Sequence, residues 1–402
     1  MKINSEIGKL KKVMVHKPDL SLERLTPTNC SDYLFDDVLW TEKAAEEHEL
    51  FETILKKNGV EVYLLSNLLQ ETMLNRTARK WLLNKIIKRL HYDSTLGDDL
   101  YVFLSALDAE SLARYLIGGL TWEEMKMESA GLVSQTLVPE DFVLPPLPNH
   151  LFTRDTSCWI GQGVSINPMH WPVRRGETIN MSAIYKFHPM FSHADFDTWY
   201  DGTDVASELP SIEGGDVLVI NSDCVLIGMG ERTTPEAIEH LAKVLFEHEV
   251  KKQVIAIEIP KDRASMHLDT VMTMLDHDTF CVAFPCDTIR SWSIVPGKQK
   301  NKLKVKFEKD VFKAVAKVLG EKTLKLITPG GDVFAEQREQ WTDASNLLAI
   351  SPGVVIGYDR NVNTNEKLEK AGIKVIGIEG SELGRGRGGA RCMSCPFERE
   401  DL

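Results

Sequence analysis

Asp216-Val-Leu-Val-Ile-Asn-Ser-Asp-Cys-Val-Leu-Ile-Gly228 is a polar residue, an apolar run, a polar turn and a second apolar run. Two β-prone runs around a short polar turn read as a hairpin. The pattern recurs. Asp155 precedes Thr-Ser-Cys-Trp-Ile160, a turn at Gly161–Gly163, and Val164-Ser-Ile166. Asp269 precedes Thr-Val-Met-Thr-Met-Leu275, a turn at Asp276–Asp278, and Phe280-Cys-Val-Ala-Phe284. Asn346 precedes Leu-Leu-Ala-Ile350, a turn at Pro352-Gly353, and Val354-Val-Ile-Gly357. The starts lie 61, 53 and 77 residues apart, and Arg174, Arg232 and Arg360 follow the second strand in three of the four. Helical stretches such as Pro235–His248 and Asp310–Leu319 fill the gaps. The fold class is therefore α/β. Irregular recurrence of a hairpin-plus-helix unit predicts a closed, pseudo-symmetric array, in which equivalent strand ends meet around one axis. The acidic residues opening the hairpins would then converge on one central pocket. The plainer alternative is that they are ordinary turn residues.

Towards the N-terminus, Leu10–His16 alternates as a strand, Thr41 opens a helix that Gly59 stops, and Val60–Leu65 is a second strand. From about Glu71 to Met127 the apolar spacing turns helical, with breaks near Thr95–Asp98 and Gly118–Gly119 and no strand expected between. This predicts residues 71–146 as an all-helical insertion, with 1–70 and 147–402 forming the array. Pro145-Pro-Leu-Pro148 is the stiff return.

Composition narrows the function. A net charge of −12 argues against nucleic acid or an anionic membrane as main partner. Seven scattered cysteines, an odd number, suit free thiols in a reducing cytoplasm. The first residues carry no apolar signal region, and no run is long enough to span a membrane.

The chemistry gathers in Gly384-Arg-Gly-Arg-Gly-Gly-Ala-Arg-Cys-Met-Ser-Cys-Pro396. Glycine lets backbone turn sharply and approach a ligand, arginine grips carboxylates, and a cysteine in positive surroundings is favoured as thiolate. A solvated basic tail is the alternative, against which the closing Cys-x-x-Cys-Pro argues. Three other groups stand out: Asn149 with Phe152-Thr-Arg-Asp155, Glu213-Gly-Gly-Asp216, and His267-Leu-Asp269. His267 and Asp269 lie two apart at an expected strand entry, which would point both to one side. Cysteine, histidine and an orienting carboxylate form a thiol nucleophile set. A zinc site would need a second ligand cluster, and the sequence has no second Cys-x-x-Cys.

These motifs, in this order, resemble the arginine deiminase family of guanidine-modifying enzymes. The segments Ser5–His16 and Leu34–Trp40 resemble it too, so the likeness spans almost the whole chain. The resemblance implies a five-bladed α/β propeller with a helical insertion, acting on free L-arginine without metal or cofactor. It implies Cys392 as nucleophile, His267 as proton carrier, Glu213 as its orienter, and Asp155 and Asp269 as holders of the guanidinium. It places Arg174, Arg232 and Arg387 on the substrate carboxylate with Asn149 in support, and Phe152 along the apolar stem. A cytoplasmic homo-oligomer is expected. Arg391 stands where several family members have histidine. An amidinotransferase, a non-catalytic arginine binder, and a redox protein using Cys392 and Cys395 are the competing readings.

Overall fold

Val217–Val219 pairs antiparallel with Cys224–Met229, the helix Pro235–Glu247 follows, and Gln253–Glu258 returns parallel to the second strand. That unit is the key to the computed structural model, which describes residues 1–92, 95–127, 131–203, 209–283, 289–299 and 302–402. The helix is needed because a parallel neighbour cannot be reached by a tight turn.

The same antiparallel-then-parallel unit occurs five times among the described residues. Ser157–Ile160, Gly163–Ile166 and Asp197–Asp201 form one, with helix Arg175–Phe187 as the crossover. Met272–Met274, Thr279–Val282 and Lys325–Ile327 form another, with helix Val311–Leu319 before its last strand. Leu348–Ser351, Val354–Tyr358 and Lys374–Ile378 form the next, crossed by Val362–Lys370. The fifth joins the far ends of the sequence: Cys395–Arg399 pairs antiparallel with Leu10–Val15, which pairs parallel with Glu61–Leu64 after helix Thr41–Lys57. The unit that starts at Val217 is widened by Ser291–Pro296 and Leu303–Glu308. The fifth unit could not be seen by scanning for hairpins, because its two antiparallel strands lie at opposite ends of the sequence.

The helical stretch differs from expectation at its edges. It begins at Leu65, directly after the strand, and runs through Leu65–Met73, Arg76–Arg89, Thr95–Ala106 and Ala109–Gly118. Thr95 starts a helix where a break was expected. Gly119, with φ of +78°, ends the fourth helix, and Leu120–Thr121 then pairs with Phe142–Leu144 as a short strand where none was expected. Leu69, Leu82, Leu104 and Leu112 share one apolar core with Trp159, Ile184 and Phe397 of the strand units. Phe397 is fully buried and its ring meets Tyr63, Trp159 and Phe191, so it packs the C-terminal strand onto this core. Phe397→Ala would cost about 3–5 kcal/mol. No described helix is long and apolar enough to cross a membrane. Of the hairpin residues read from sequence, Phe284 lies outside the described residues, as does Cys286.

Candidate active site

Cys392 follows a tight loop. A single 3-10 turn, Leu383–Gly386, is ended by Arg387 in the left-handed region at φ of +62°. Gly388 comes next, and a Cβ there would lie 2.3 Å from the Phe152 ring. Only glycine lets this backbone pass so close to an aromatic face. The loop ends with Cys392 buried, at 4% exposure.

The Cys392 sulfur accepts from the Asn346 side-chain amide at 3.0 Å and lies 3.7 and 3.8 Å from the Asp269 carboxylate oxygens. Asn346 also accepts from the Cys392 backbone N–H at 3.0 Å and donates to the Asp269 carbonyl at 3.1 Å. One amide thus fixes both the Cys392 thiol and the segment bearing the carboxylate. Burial pushes the Cys392 thiol well up, Asp269, Asp155 and Asp343 push further, and Arg391 pulls the other way.

His267 bonds Glu213 Oε2 through Nε2 at 2.7 Å, and its Nδ1 lies 3.5 Å from Asp155 Oδ1. Burial alone would lower its pKa, but Asp155 and the Glu213 bond outweigh this and raise it to about 9. Burial works against the Glu213 carboxylate too, yet Arg232 and His267 hold it ionised, well below the usual range. Gly215 makes the pair possible: a Cβ there would lie 2.7 Å from the imidazole and 2.9 Å from Asp155 Oδ1.

One sequence expectation is corrected here. His267 and Asp269 do not share one side of a strand. His267 is the extended N-cap of a helical turn, Leu268–Val271, which Asp269 enters. The turn sends His267 to Glu213 and Asp155 while Asp269 faces Cys392 and Arg391. Asp216, the polar start of the second unit, accepts from the Leu268 N–H at 2.8 Å and from Thr233 Oγ1 at 2.5 Å. It braces this turn.

A family model described as arginine deiminase matches residues 31–399. The chain belongs to the arginine deiminase family. Solved structures share its α/β fold at low identity. An amidinotransferase from Microseira wollei, SxtG of the saxitoxin biosynthetic pathway, is 14% identical with a TM-score of 0.57, covering 100% of this chain and 98% of that one. A Pseudomonas aeruginosa DDAH variant complexed with citrulline is 15% identical with a TM-score of 0.51, covering 97% and 100%. The N-terminal domain of ArgZ, covalently bound to a reaction intermediate, is 15% identical with a TM-score of 0.53, covering 96% and 98%.

In this arginine deiminase family member, the residues expected at the substrate's amino-acid end divide by how much of their hydrogen bonding is spent. Arg174 is committed: Nη1 donates to Asp155 Oδ2 at 2.7 Å, Nη2 to Glu177 Oε2 at 2.9 Å, and Nη2 also reaches the Asn149 carbonyl at 3.2 Å. A substrate carboxylate would meet Arg174 only by displacing these bonds, so the expected direct contact does not fit the arrangement seen. Arg232 has an unpartnered Nε, and Arg387 has an unpartnered Nε and Nη1, all buried. Asn149 spends its side-chain amide on the Tyr33 carbonyl at 2.8 Å, pinning the irregular segment before helix Thr41–Lys57. Phe152 stacks on Phe35, ring centres 6.2 Å apart. A cavity of about 340 Å³ opens beside them, lined in part by Phe35, Asp36, Trp171, Arg232 and Arg263.

Asp155, Glu213 and His267 also bring one ligand atom each within 4.8 Å of the others, close enough to hold a cation. In the arrangement seen, Glu213 and His267 bond each other and Asp155 Oδ2 bonds Arg174, while Asp155 Oδ1 has no hydrogen-bond partner. Sequence reasoning missed Trp341, Glu177 and Glu6 as parts of the site. Glu177 was findable, three residues beyond Arg174 at helical spacing. Trp341 and Glu6 carry no local signal; they arrive through tertiary contacts with the Arg387–Cys392 loop.

Proposed function

We propose that this protein hydrolyses free L-arginine to L-citrulline and ammonia. The observation that carries the reading is the Cys392 sulfur set between the Asp269 carboxylate and the Asn346 amide, with Asp155 acting both on that thiol and on a His267 that it and Glu213 keep charged. In this reading Asp155 and Asp269 hold the planar guanidinium, and burying that cation requires such negative partners. Its charge offsets the two carboxylates that push the Cys392 thiol up, so the thiol loses its proton to solvent as substrate binds. The thiolate then forms a C–S bond to the guanidinium carbon. His267, protonated at neutral pH, gives its proton to the departing nitrogen as the C–N bond breaks. Ammonia leaves, and an S-alkylthiouronium remains on Cys392. Neutral His267 next takes a proton from water, whose oxygen adds to the same carbon. The C–S bond breaks, the remaining hydroxyl proton passes to solvent, thiolate returns and citrulline departs. Glu213 keeps His267 charged and aimed. Arg232 and Arg387 supply open N–H groups for the α-carboxylate, Arg174 and Asn149 back them, and Phe152 covers the stem.

In the same reading the five units are blades of a closed propeller, with residues 71–146 inserted. A crystal structure in which the units share no common axis through Cys392 would remove that part.

The likeness to SxtG favours one second reading, amidino transfer to an amine instead of water. The deciding experiment is a product assay with L-arginine as sole substrate, for the unmodified protein and Cys392→Ala. Citrulline and ammonia in equal amounts, lost in the variant, are expected. Turnover only when an amine acceptor is added would select the second reading.

A further inference from the structure

Arg391 immediately precedes the nucleophile and is 1% exposed. All three of its guanidinium nitrogens are engaged. Nε donates to Glu6 Oε2 at 3.0 Å, Nη1 to Asp269 Oδ2 at 2.7 Å, and Nη2 to the Val217 carbonyl at 2.8 Å. Glu6 is anchored in turn, its Oε1 accepting from the Val219 N–H at 3.1 Å. Glu6 is also buried and precedes the strand Leu10–Val15. Three distant segments therefore meet behind one carboxylate.

We propose that Glu6 and Arg391 form a positioning relay that fixes the rotation of the Asp269 carboxylate for the substrate guanidinium. This rests on reading the site as a guanidinium pocket. With Oδ2 tied to Arg391, Oδ1 keeps only the Cys392 sulfur, at 3.8 Å, as partner among the described residues. A planar guanidinium donates through a fixed fork, so a carboxylate held at one angle receives it and one free to turn does not. Arginine suits the relay because its rigid fork serves three acceptors at once. An ammonium at the same place is a point charge on a flexible stem. Burial works against the Arg391 charge, and Glu6 and Asp269 more than restore it. Glu6 stays ionised against burial, its pKa lowered to about 2 by Arg391 and Arg154. The relay thus keeps its charges across the working pH range.

A buried ion pair with a purely structural role would lower the melting temperature of a variant and leave kcat and KM of the folded enzyme unchanged. The test is a double-mutant cycle: unmodified protein, Glu6→Gln, Arg391→Lys and the double variant, with steady-state kinetics on L-arginine and thermal melts. Glu6→Gln and Arg391→Lys should each lower kcat/KM by about tenfold or more, since small misplacements of a reacting group cost that much. Because the two act as one unit, the double variant should fall within about twofold of the worse single. A folded Glu6→Gln within about twofold of the unmodified protein, or single losses that multiply in the double, overturns the relay. Should Glu6→Gln not fold, Glu6→Asp gives the same comparison, keeping the charge but shortening the reach.

If the unmodified protein makes no citrulline, the functional reading fails separately. The relay is then read by protection of Cys392 from iodoacetamide by L-arginine. A half-protecting concentration about tenfold higher in Glu6→Gln supports it. An unchanged one, or no protection in the unmodified protein, overturns it.

Discussion

The guanidinium carbon of Arg387 lies 3.5 Å from the centre of the Trp341 ring. The stacking holds Arg387 flat while its Nε and Nη1 remain unpartnered. Asp36, 3.7 Å from Nη1, is its nearest counter-charge. An arginine whose shape is fixed by a ring but whose donors are open is prepared for an incoming carboxylate. Trp341 is half exposed, so its removal need not open the core. Trp341→Ala should raise KM for L-arginine while kcat changes little. Cation–π stacking is worth about 0.5–2 kcal/mol, or roughly two- to thirtyfold in KM. Trp341→Phe should recover part of the loss. Steady-state kinetics of the two variants checks this, and an unchanged KM in Trp341→Ala would count against Arg387 as a carboxylate ligand.

In the proposed mechanism Cys392 needs a cation to become a nucleophile. Burial, Asp269, Asp155 and Asp343 all favour the neutral thiol, and Arg391 opposes them. The protein by itself should therefore show little thiolate absorbance from Cys392 at neutral pH. Adding a slowly reacting guanidinium compound should raise the ultraviolet thiolate signal, and Cys392→Ala should abolish the rise. A full thiolate signal without ligand would mean that the local field is more positive than the structure indicates.

In the proposed mechanism His267 sets the alkaline limit. As the proton donor it must be charged, so kcat/KM should fall as pH rises through about 9. Glu213→Gln removes the charge hydrogen-bonded to Nε2, and the falling limb should move to lower pH. Stability follows the same sign. The folded pKa is above the unfolded value, so the contribution is complete below about pH 6.5 and is lost as pH rises through about 9. The stability gap between the unmodified protein and His267→Ala, from denaturant titrations, should therefore shrink between those limits. A gap constant from pH 6 to 10 would mean that His267 does not gain its proton by folding.

What could be read from sequence was what local chemistry repeats. Hairpin, helix and return strand show as alternating apolar runs and turns, so four of the five units were visible. The fifth was hidden because Leu10–Val15 and Cys395–Arg399 pair across the whole sequence. Asp155, Glu213, His267, Asp269 and Cys392 stand in short polar motifs at element starts, and the structure brings them together. Their aim was harder to read. Whether two residues apart means the same side depends on strand or helix, and Leu268–Val271 is a helical turn. Partners such as Glu6, Asn346 and Trp341 act on the Arg387–Cys392 loop from far along the chain, and spacing carries no record of that. The open nitrogens of Arg232 and Arg387, against the committed state of Arg174, are likewise a product of packing.

Cys395 separates hydrolysis from thiol redox chemistry. It lies in the strand Cys395–Arg399, opposite Met14, and is 1% exposed. Its sulfur is 3.6 Å from Ser157 Oγ and 3.9 Å from Tyr185 Oη, whereas Cys392 faces Asn346 and Asp269. Burial raises its pKa, which suits a packed thiol and not an exchanging one. Cys395→Ser is nearly isosteric and would place its hydroxyl among polar partners already present. The variant should keep citrulline formation within about threefold, at a stability cost of about 1 kcal/mol for a small change in a packed site. Cys392→Ser should lose turnover, because a hydroxyl lacks the nucleophilicity of a thiolate at neutral pH. Product assays and melts on both variants decide it. Complete loss of activity in a folded Cys395→Ser would mean that the two thiols work as a pair, and the hydrolytic mechanism through Cys392 alone would have to be abandoned.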